Sequence, residues 1–297
     1  MFHLTEAEIM ADWPIGEPIR VSVCCITYKQ EQYISQAIDG FLMQKTNFPF
    51  EIIIHDDAST DNTANFLLSY QKQYPNIIKL ILQEKNIYQN GGKPFHEIFS
   101  VSKGQFIALC EGDDYWRDQY KLQKQFDFMK NNPKTAITYH KSIVVEDVVE
   151  TDRFALENRN YRNYSSSELL KGKGAISTQT VMLSKKILPL PEEYFHITNE
   201  DSFIYILAGL VGDGVFIDTI KPSAYRVHDG GVWSRKGNHY RNAKTLISYY
   251  WVAIFFERLG MDFNALYFKL KIAKLSLDIK RISVARIVQT MFSRLLK

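Results

Sequence analysis

Three cysteines in 297 residues, an adjacent pair at Cys24 and Cys25 and a distant third at Cys110, are too few and too unevenly spaced for a disulfide framework or a cysteine metal cluster. A reducing compartment is the simpler setting. No stretch reaches the roughly 18 consecutive apolar residues that a spanning helix needs. The N-terminal MFHLTEAEIMADWP also lacks the basic start and apolar run of a secretory leader. The expected location is therefore the cytoplasm, either free or peripheral to the membrane. An excess of charge of one sign is missing too: 36 Lys and Arg stand against 33 Asp and Glu, a net +3, which gives no reason to expect a nucleic-acid partner. Neither GxGxxG nor GxxxxGK[ST] occurs, which argues against NAD-linked oxidoreductases and P-loop enzymes. The chain has no fixed-period repeat and no low-complexity tract.

What is present is enough apolar residue, 45% of the chain, to bury a full core in one large domain with or without an appendage. The first eighteen residues close on Pro14, Gly16 and Pro18 and read as an arm over 1–18. From Arg20 the pattern alternates. VSVCCITY, FEIIIHDD, IIKLILQ and GQFIALC are short apolar strands, and the segments after them place apolar residues at helical spacing, as in Tyr33, Ile34, Ala37, Ile38, Phe41 and Leu42. Such alternation predicts a mainly parallel sheet with helices on both faces, and in such sheets ligands bind beyond the carboxyl ends of the strands. Residues 146–175 are polar and irregular and read as a long loop region. Past about residue 241 the chain turns helical and basic. Residues 265–297 hold eight Lys and Arg against Asp278 alone, a net +7, so the remainder carries −4.

Four groups of residues can carry chemistry. EGDDYW at 111–116 crowds Glu111, Asp113 and Asp114 directly after an apolar strand. Carboxylates held so close repel unless a cation binds them, and hard oxygen ligands suit Mg²⁺ or Mn²⁺ bridging a diphosphate. The alternative is an acidic turn in which Asp113 or Asp114 caps the next helix. HDDASTDNT places Asp56 and Asp57 at the end of a second strand, with Ser59, Thr60 and Asp61 suited to starting the following helix. NED at 199–201 stands at the start of a helix, with Asn199 as an N-cap candidate and Glu200 and Asp201 in the first turn. YRVHDGGVWS at 225–234 combines His228, which can serve a metal or a diphosphate, with two glycines that allow close backbone approach. Trp233 follows as a stacking platform or a buried core residue, and Arg226 and Arg235 are weaker candidates for phosphate contacts.

CITYKQEQYI, EIIIHDDASTDNT and ALCEGDDYW stand in the order and spacing of family 2 glycosyltransferases, which the chain resembles from about residue 20 to residue 233. The resemblance implies the GT-A fold over 19–240, with a basic helical segment over 241–297. It implies an inverting, metal-dependent glycosyltransferase of the bacterial surface-polysaccharide type that takes a nucleotide-sugar donor, a UDP-sugar first. Carried over residue by residue, Thr27, Tyr28 and Glu31 line the nucleotide pocket, and Asp57 with Asp56 meets the uracil. Asp113 becomes the principal ligand of Mn²⁺ or Mg²⁺, joined by His228. Glu111 stands where the family has aspartate, and its longer arm shifts it, with Gly112, toward the nucleotide. Asp201 is the expected general base, and Asp114, Trp116, Glu200 and Trp233 are expected to contact donor sugar or acceptor. The acceptor is a saccharide or lipid-linked saccharide. The basic C-terminal segment either touches the inner membrane surface or packs as a terminal helix with a solvated face. Two alternatives stay open: a sugar-1-phosphate nucleotidyltransferase, for which the glycine-free loop after the first strand is a poor match, and a non-catalytic module that binds sugar nucleotides.

Overall fold

The computed structural model describes residues 4–146, 149–156, 161–228 and 237–277. They fall into two compact units, one formed by residues 1–190 and 205–228, the other by 191–204 and 229–297.

In the first unit the strand–helix alternation runs β1 (Val21–Thr27), α2 (Ile34–Leu42), β2 (Phe50–Asp56), α3 (Thr63–Gln73), β3 (Ile78–Leu82), α4 (Pro94–Val101), β4 (Phe106–Leu109), α5 (Lys121–Asn131) and β5 (Thr135–Tyr139), preceded by a short α1 (Glu6–Met10). β2 is buried along its whole length and β1 at every residue but Ile26, as expected of strands covered on both faces. Ile34, Ala37, Ile38 and Phe41 form the buried stripe of α2. They meet Val23, Cys25, Ile52, Ile54 and Ala108 of the sheet, with Leu122 and Phe126 of α5, in one core.

The main sheet has the order β3-β2-β1-β4-β8-β5-β9, where β8 is Met182–Ser184 and β9 is Asp213–Phe216. β1 pairs in parallel with both β2 and β4, so the direction of winding reverses between β1 and β4. Helices connecting outward on either side of that point leave a crevice at the strands' carboxyl ends. β8 runs antiparallel to β4 and β5, which makes the sheet mixed though mainly parallel.

A second sheet joins β10 (Ser223–Val227), β6 (Ser142–Glu146) and β7 (Val149–Phe154). Part of the expected loop region is therefore regular: it contains β7 and the short α6 (Ser166–Leu169), which Ser165 and Glu168 start with a reciprocal capping box. β7 is exposed on both sides, so VETDRF carries no apolar alternation from which to read a strand. The N-terminal segment is docked on this unit. Glu6 accepts from the backbone N–H groups of Asn76 at 2.7 Å and Ile77 at 3.0 Å, and the Trp13 indole N–H donates to Thr46 Oγ1 at 3.0 Å.

The second unit is built on α8 (Asn238–Arg258) and a further helical stretch over 262–277. Arg258 grips the buried carboxylate of Glu193 with two N–H groups at 2.6 and 2.8 Å, and Phe203 meets Phe255 edge to face at 5.3 Å. α7 (Glu200–Val211) starts in this unit and ends in the first. Among the described residues no helix is long and apolar enough to cross a membrane.

Candidate functional site

The loops that leave β1, β2 and β4 are locked together by their own polar atoms. Asp57 N–H donates to the Thr27 carbonyl at 3.0 Å, Lys29 N–H to Ser59 Oγ at 2.8 Å, and Gln30 N–H to Thr63 Oγ1 at 2.9 Å. Lys29 and Ala58 hold positive φ, at 54° and 61°, conformations that cost energy in residues with a Cβ. Backbone strain at two neighbouring strand ends is often found where a site is held in one shape.

Each acid of the second motif has a structural partner. Asp56, buried, accepts from both N–H and Oγ of Ser59 at 3.0 and 2.5 Å. Asp57, also buried, accepts from the backbone N–H groups of Ile87 at 2.7 Å and Tyr88 at 3.1 Å, which fixes the segment after β3 over the crevice. Asp61 precedes α3 rather than lying in its first turn, and its carboxylate accepts from Thr63 N–H at 3.1 Å and Thr63 Oγ1 at 2.6 Å. Glu31 accepts from Asn62 N–H at 2.8 Å, so it closes the exposed start of α3 from another loop. Thr27 is buried with its hydroxyl donating to Gln30 Oε1 at 2.8 Å, and Tyr28 is half-buried beside it.

The acidic turn after β4 is held from three sides. Gly112 N–H donates to the Ile26 carbonyl at 3.0 Å, and a Cβ on Gly112 would lie 2.5 Å from Gln30 Oε1 and 2.9 Å from Thr27 Oγ1, so only glycine lets the turn sit against β1. Behind it Trp116 is buried, edge to face with Phe41 at 4.8 Å, its indole N–H donating to the Gln179 carbonyl at 2.8 Å. To one side β10 pairs with the turn: Ala224 N–H donates to the Tyr115 carbonyl at 2.9 Å and Arg226 N–H to Asp114 Oδ1 at 2.8 Å. α5 begins only at Lys121, where Asp118 accepts from Tyr120 N–H at 2.8 Å; the helix-cap reading of Asp113 and Asp114 is thereby removed.

Arg226 completes this clamp. Buried, it donates through Nε to the Asp113 carbonyl at 2.8 Å and through Nη2 to Gln36 Oε1 at 2.6 Å, while its guanidinium lies 4.5 Å from the Tyr33 ring centre and 5.4 Å from that of Tyr115. The Tyr33 ring in turn packs against His228 at 4.7 Å. The sequence marked Arg226 only as a weak candidate for phosphate, and it placed Tyr33 in the apolar stripe of a helix. Arg226 lies 113 residues along the chain from Asp113 and 193 from Tyr33, so the link leaves no local signal.

Asp113 and His228, expected to share a metal, come together: Nε2 of His228 lies 3.0 Å from Asp113 Oδ2. Asp113 Oδ1 is buried and has no hydrogen-bond partner among the described residues. An orphaned carboxylate oxygen of this kind costs free energy unless something binds it. Burial, reinforced by neighbouring Asp113 and Glu111, pushes the Asp114 carboxyl well above its usual range, while the Arg226 N–H and guanidinium pull the other way. Among the described residues no three His, Cys, Asp or Glu side chains are arranged to hold a metal by themselves. Asp113 nevertheless suits Mg²⁺ or Mn²⁺, which are commonly held by one or two carboxylates with phosphate oxygens completing the shell, and His228 stands beside it.

In the second unit, Asp201 is half-buried in the first turn of α7 and accepts from Ser202 N–H at 2.7 Å; burial raises its carboxyl pKa above the ordinary aspartate value. Glu200 receives the Tyr194 hydroxyl. Asn199 Oδ1 is buried without a hydrogen-bond partner among the described residues, so it does not act as the expected N-cap. Trp233 and Arg235, with Gly230 and Gly231, lie outside the described residues.

A mainly parallel sheet with a β1/β4 switch point, acidic loops at the ends of β1, β2 and β4, and a small second sheet bracing the acidic turn define an α/β fold of the GT-A type. The chain belongs to glycosyl transferase family 2, whose sequence model matches residues 22–188. A Mycobacterium tuberculosis relative, Rv1520, is 32% identical over 223 residues, covering 72% of this chain and 60% of the relative. The putative teichuronic acid biosynthesis glycosyltransferase TuaG of Bacillus subtilis is 28% identical over 145 residues, covering 49% of this chain and 54% of that protein. Among solved structures, S. aureus TarS 1-349 in complex with UDP-GlcNAc is similar in fold, with TM-score 0.62, 19% identity, and coverage of 80% of this chain and 66% of that one. The chain thus spans about 60% of the length of Rv1520, so the family and fold are shared over part of that longer protein.

Proposed function

We propose that this transferase moves a sugar from a UDP-sugar to a hydroxyl of a saccharide or lipid-linked saccharide, with inversion, in the building of a bacterial surface polysaccharide. The observation that carries the donor half is the buried Asp113 Oδ1, unpartnered among the described residues, beside His228 at the switch point of a nucleotide-binding sheet. The UDP-GlcNAc complex of TarS supports uridine as the base, and the name of TuaG supports the polysaccharide acceptor.

In this reading Thr27, Tyr28 and Glu31 border the nucleotide, with Glu111 and Gly112 closing it from the β4 side. Asp57 still has lone pairs to offer the base beyond those used by Ile87 and Tyr88, while Asp56 keeps the loop in shape through Ser59. Asp113 and His228 hold Mn²⁺ or Mg²⁺. When bound, the cation supplies charge neutralisation for the departing diphosphate. Asp114 and Trp116 keep the acidic turn in place beneath the donor sugar. Asp201 takes the proton of the acceptor hydroxyl as that oxygen attacks the anomeric carbon and the bond to the diphosphate breaks; a carboxyl with a raised pKa is a stronger base for the task. Glu200 orients the acceptor, and Trp233 offers it a stacking face. The three cysteines are free and buried, which suits the cytoplasm.

The test is a panel of nucleotide sugars with Mn²⁺, scored by thermal stabilisation and by release of nucleoside diphosphate with and without saccharide acceptors. Selective stabilisation by one UDP-sugar, with acceptor-stimulated UDP release, is expected. Pyrophosphate release from a nucleoside triphosphate and sugar 1-phosphate, or binding without any turnover, would replace the proposal with another activity.

A further inference from the structure

The helical stretch over 262–277 is apolar on two opposite sides. One side is used inside the second unit: Ala265 and Phe268 are buried, and Phe268 meets Tyr249 at 5.5 Å and Phe256 at 5.9 Å between ring centres. The other side packs against none of the described residues. Phe263, Leu266, Leu270 and Leu277 are 91, 54, 61 and 60% exposed. At about 100° per residue they fall, with Ala273, within an arc of about 80°. Lys274 lies on one border of that arc and Asp262 and Lys269 on the other; Lys269 also pairs with Glu257, and Lys271 sits farther round against Tyr249 and Tyr267. A narrow apolar stripe with lysines at its edges matches a bilayer surface, where side chains enter the acyl boundary and ammonium groups meet phosphates. A second copy of the chain is the poorer occupant, because residues 265–297 carry a net +7 and two such segments repel. Beyond it the sequence stays basic, with Lys280, Arg281, Arg286, Arg294 and Lys297.

We propose that the 262–277 helix is an interfacial anchor that lies on an anionic lipid surface through Phe263, Leu266, Leu270 and Leu277. This rests on unit 2 alone and not on the sugar-transfer reading, so either can fail without the other. The anchor brings the protein to a two-dimensional surface on which a lipid-linked substrate is concentrated.

The experiment is flotation of the full chain with vesicles of phosphatidylglycerol and phosphatidylcholine, against vesicles of phosphatidylcholine alone. The wild type should float with the anionic vesicles and release progressively as salt is raised. Leu266→Glu/Leu270→Glu should lower partitioning at least about tenfold with an unchanged melting temperature, since both side chains are exposed. Lys274→Gln, which cannot disturb packing, should lower it about fivefold. Failure of the wild type to float, equal flotation of the double variant, or indifference to anionic lipid overturns the proposal. So does light scattering that finds a dimer in the wild type and a monomer in the double variant, since the stripe would then join two copies.

Discussion

Replacing Arg226 with methionine keeps roughly the volume of the side chain but removes the guanidinium that ties the acidic turn to α2. Its hydrogen bonds to the Asp113 carbonyl and to Gln36 Oε1 are lost, along with the contacts to the Tyr33 and Tyr115 rings. Charge-assisted hydrogen bonds contribute about 1.5 kcal/mol each or more, and the ring contacts together about 1 kcal/mol. Better burial of methionine offsets about 1 kcal/mol. The net loss is about 3 kcal/mol, which for a unit of this size lowers the melting temperature by about 10 °C. Two sites should feel it. Asp114, already pushed upward by burial and by Asp113 and Glu111, loses the nearest positive charge that opposes them, and the Asp113 main chain is freed to move. Differential scanning fluorimetry with urea titration reads the stability, and titration with Mn²⁺ and UDP reads the site. Arg226→Lys should recover little of either, because an ammonium cannot span both acceptors as a planar fork does. A melting temperature within about 2 °C of wild type, or full recovery by lysine, would refute the clamp.

Gly112→Ala should lower stability by about 1–3 kcal/mol and weaken UDP binding, since the added Cβ meets Gln30 Oε1 at 2.5 Å; crystals or melts showing a tolerated alanine would contradict the close approach. Asp201→Asn should cut kcat by about a hundredfold or more while leaving UDP affinity unchanged. In the wild type, the raised Asp201 pKa means that the base is lost as pH falls through a value above the ordinary aspartate range, so the acid limb of kcat should lie above about pH 4. An acid limb at or below that value, or an active Asp201→Asn, removes Asp201 as the base. Lys121 is fully buried, its Nζ 2.7 Å from Gln125 Oε1, and desolvation drops its pKa to about 7. Between that value and the unfolded lysine value near 10.4 the unfolded chain binds one more proton, so this group makes stability rise with pH by about 1.4 kcal/mol per unit. Lys121→Met should flatten that rise; an identical pH slope in the variant would show that the amine is charged when folded.

Much of the sheet was readable because its strands are apolar on both faces and end abruptly in acids. FEIIIHDD and FIALCEGDD announce both a buried parallel strand and the loop at its carboxyl end, and Asp113 and His228 do meet although 115 residues separate them. What stayed hidden was whatever depends on a partner far along the chain. Asp57 also anchors the N–H groups of Ile87 and Tyr88, and Glu31 that of Asn62, contacts that no local pattern announces. Helix starts drifted by a few residues: Asp61 caps from outside α3, and the turn at Asp113 and Asp114 ends well before α5. Strand β7 was missed because a polar strand on the exposed edge of a small sheet has no apolar period.

The central claim, that Asp113 and His228 hold a divalent cation for a uridine diphosphate, is most directly tested by calorimetric titration of UDP into the protein with Mn²⁺, with Mg²⁺ and with chelator. In the wild type, binding should depend on the cation. In Asp113→Asn, folded by its melting curve, the cation should no longer strengthen binding. UDP binding of equal strength with Mn²⁺ and with chelator, or a cation effect that survives in Asp113→Asn, would contradict it.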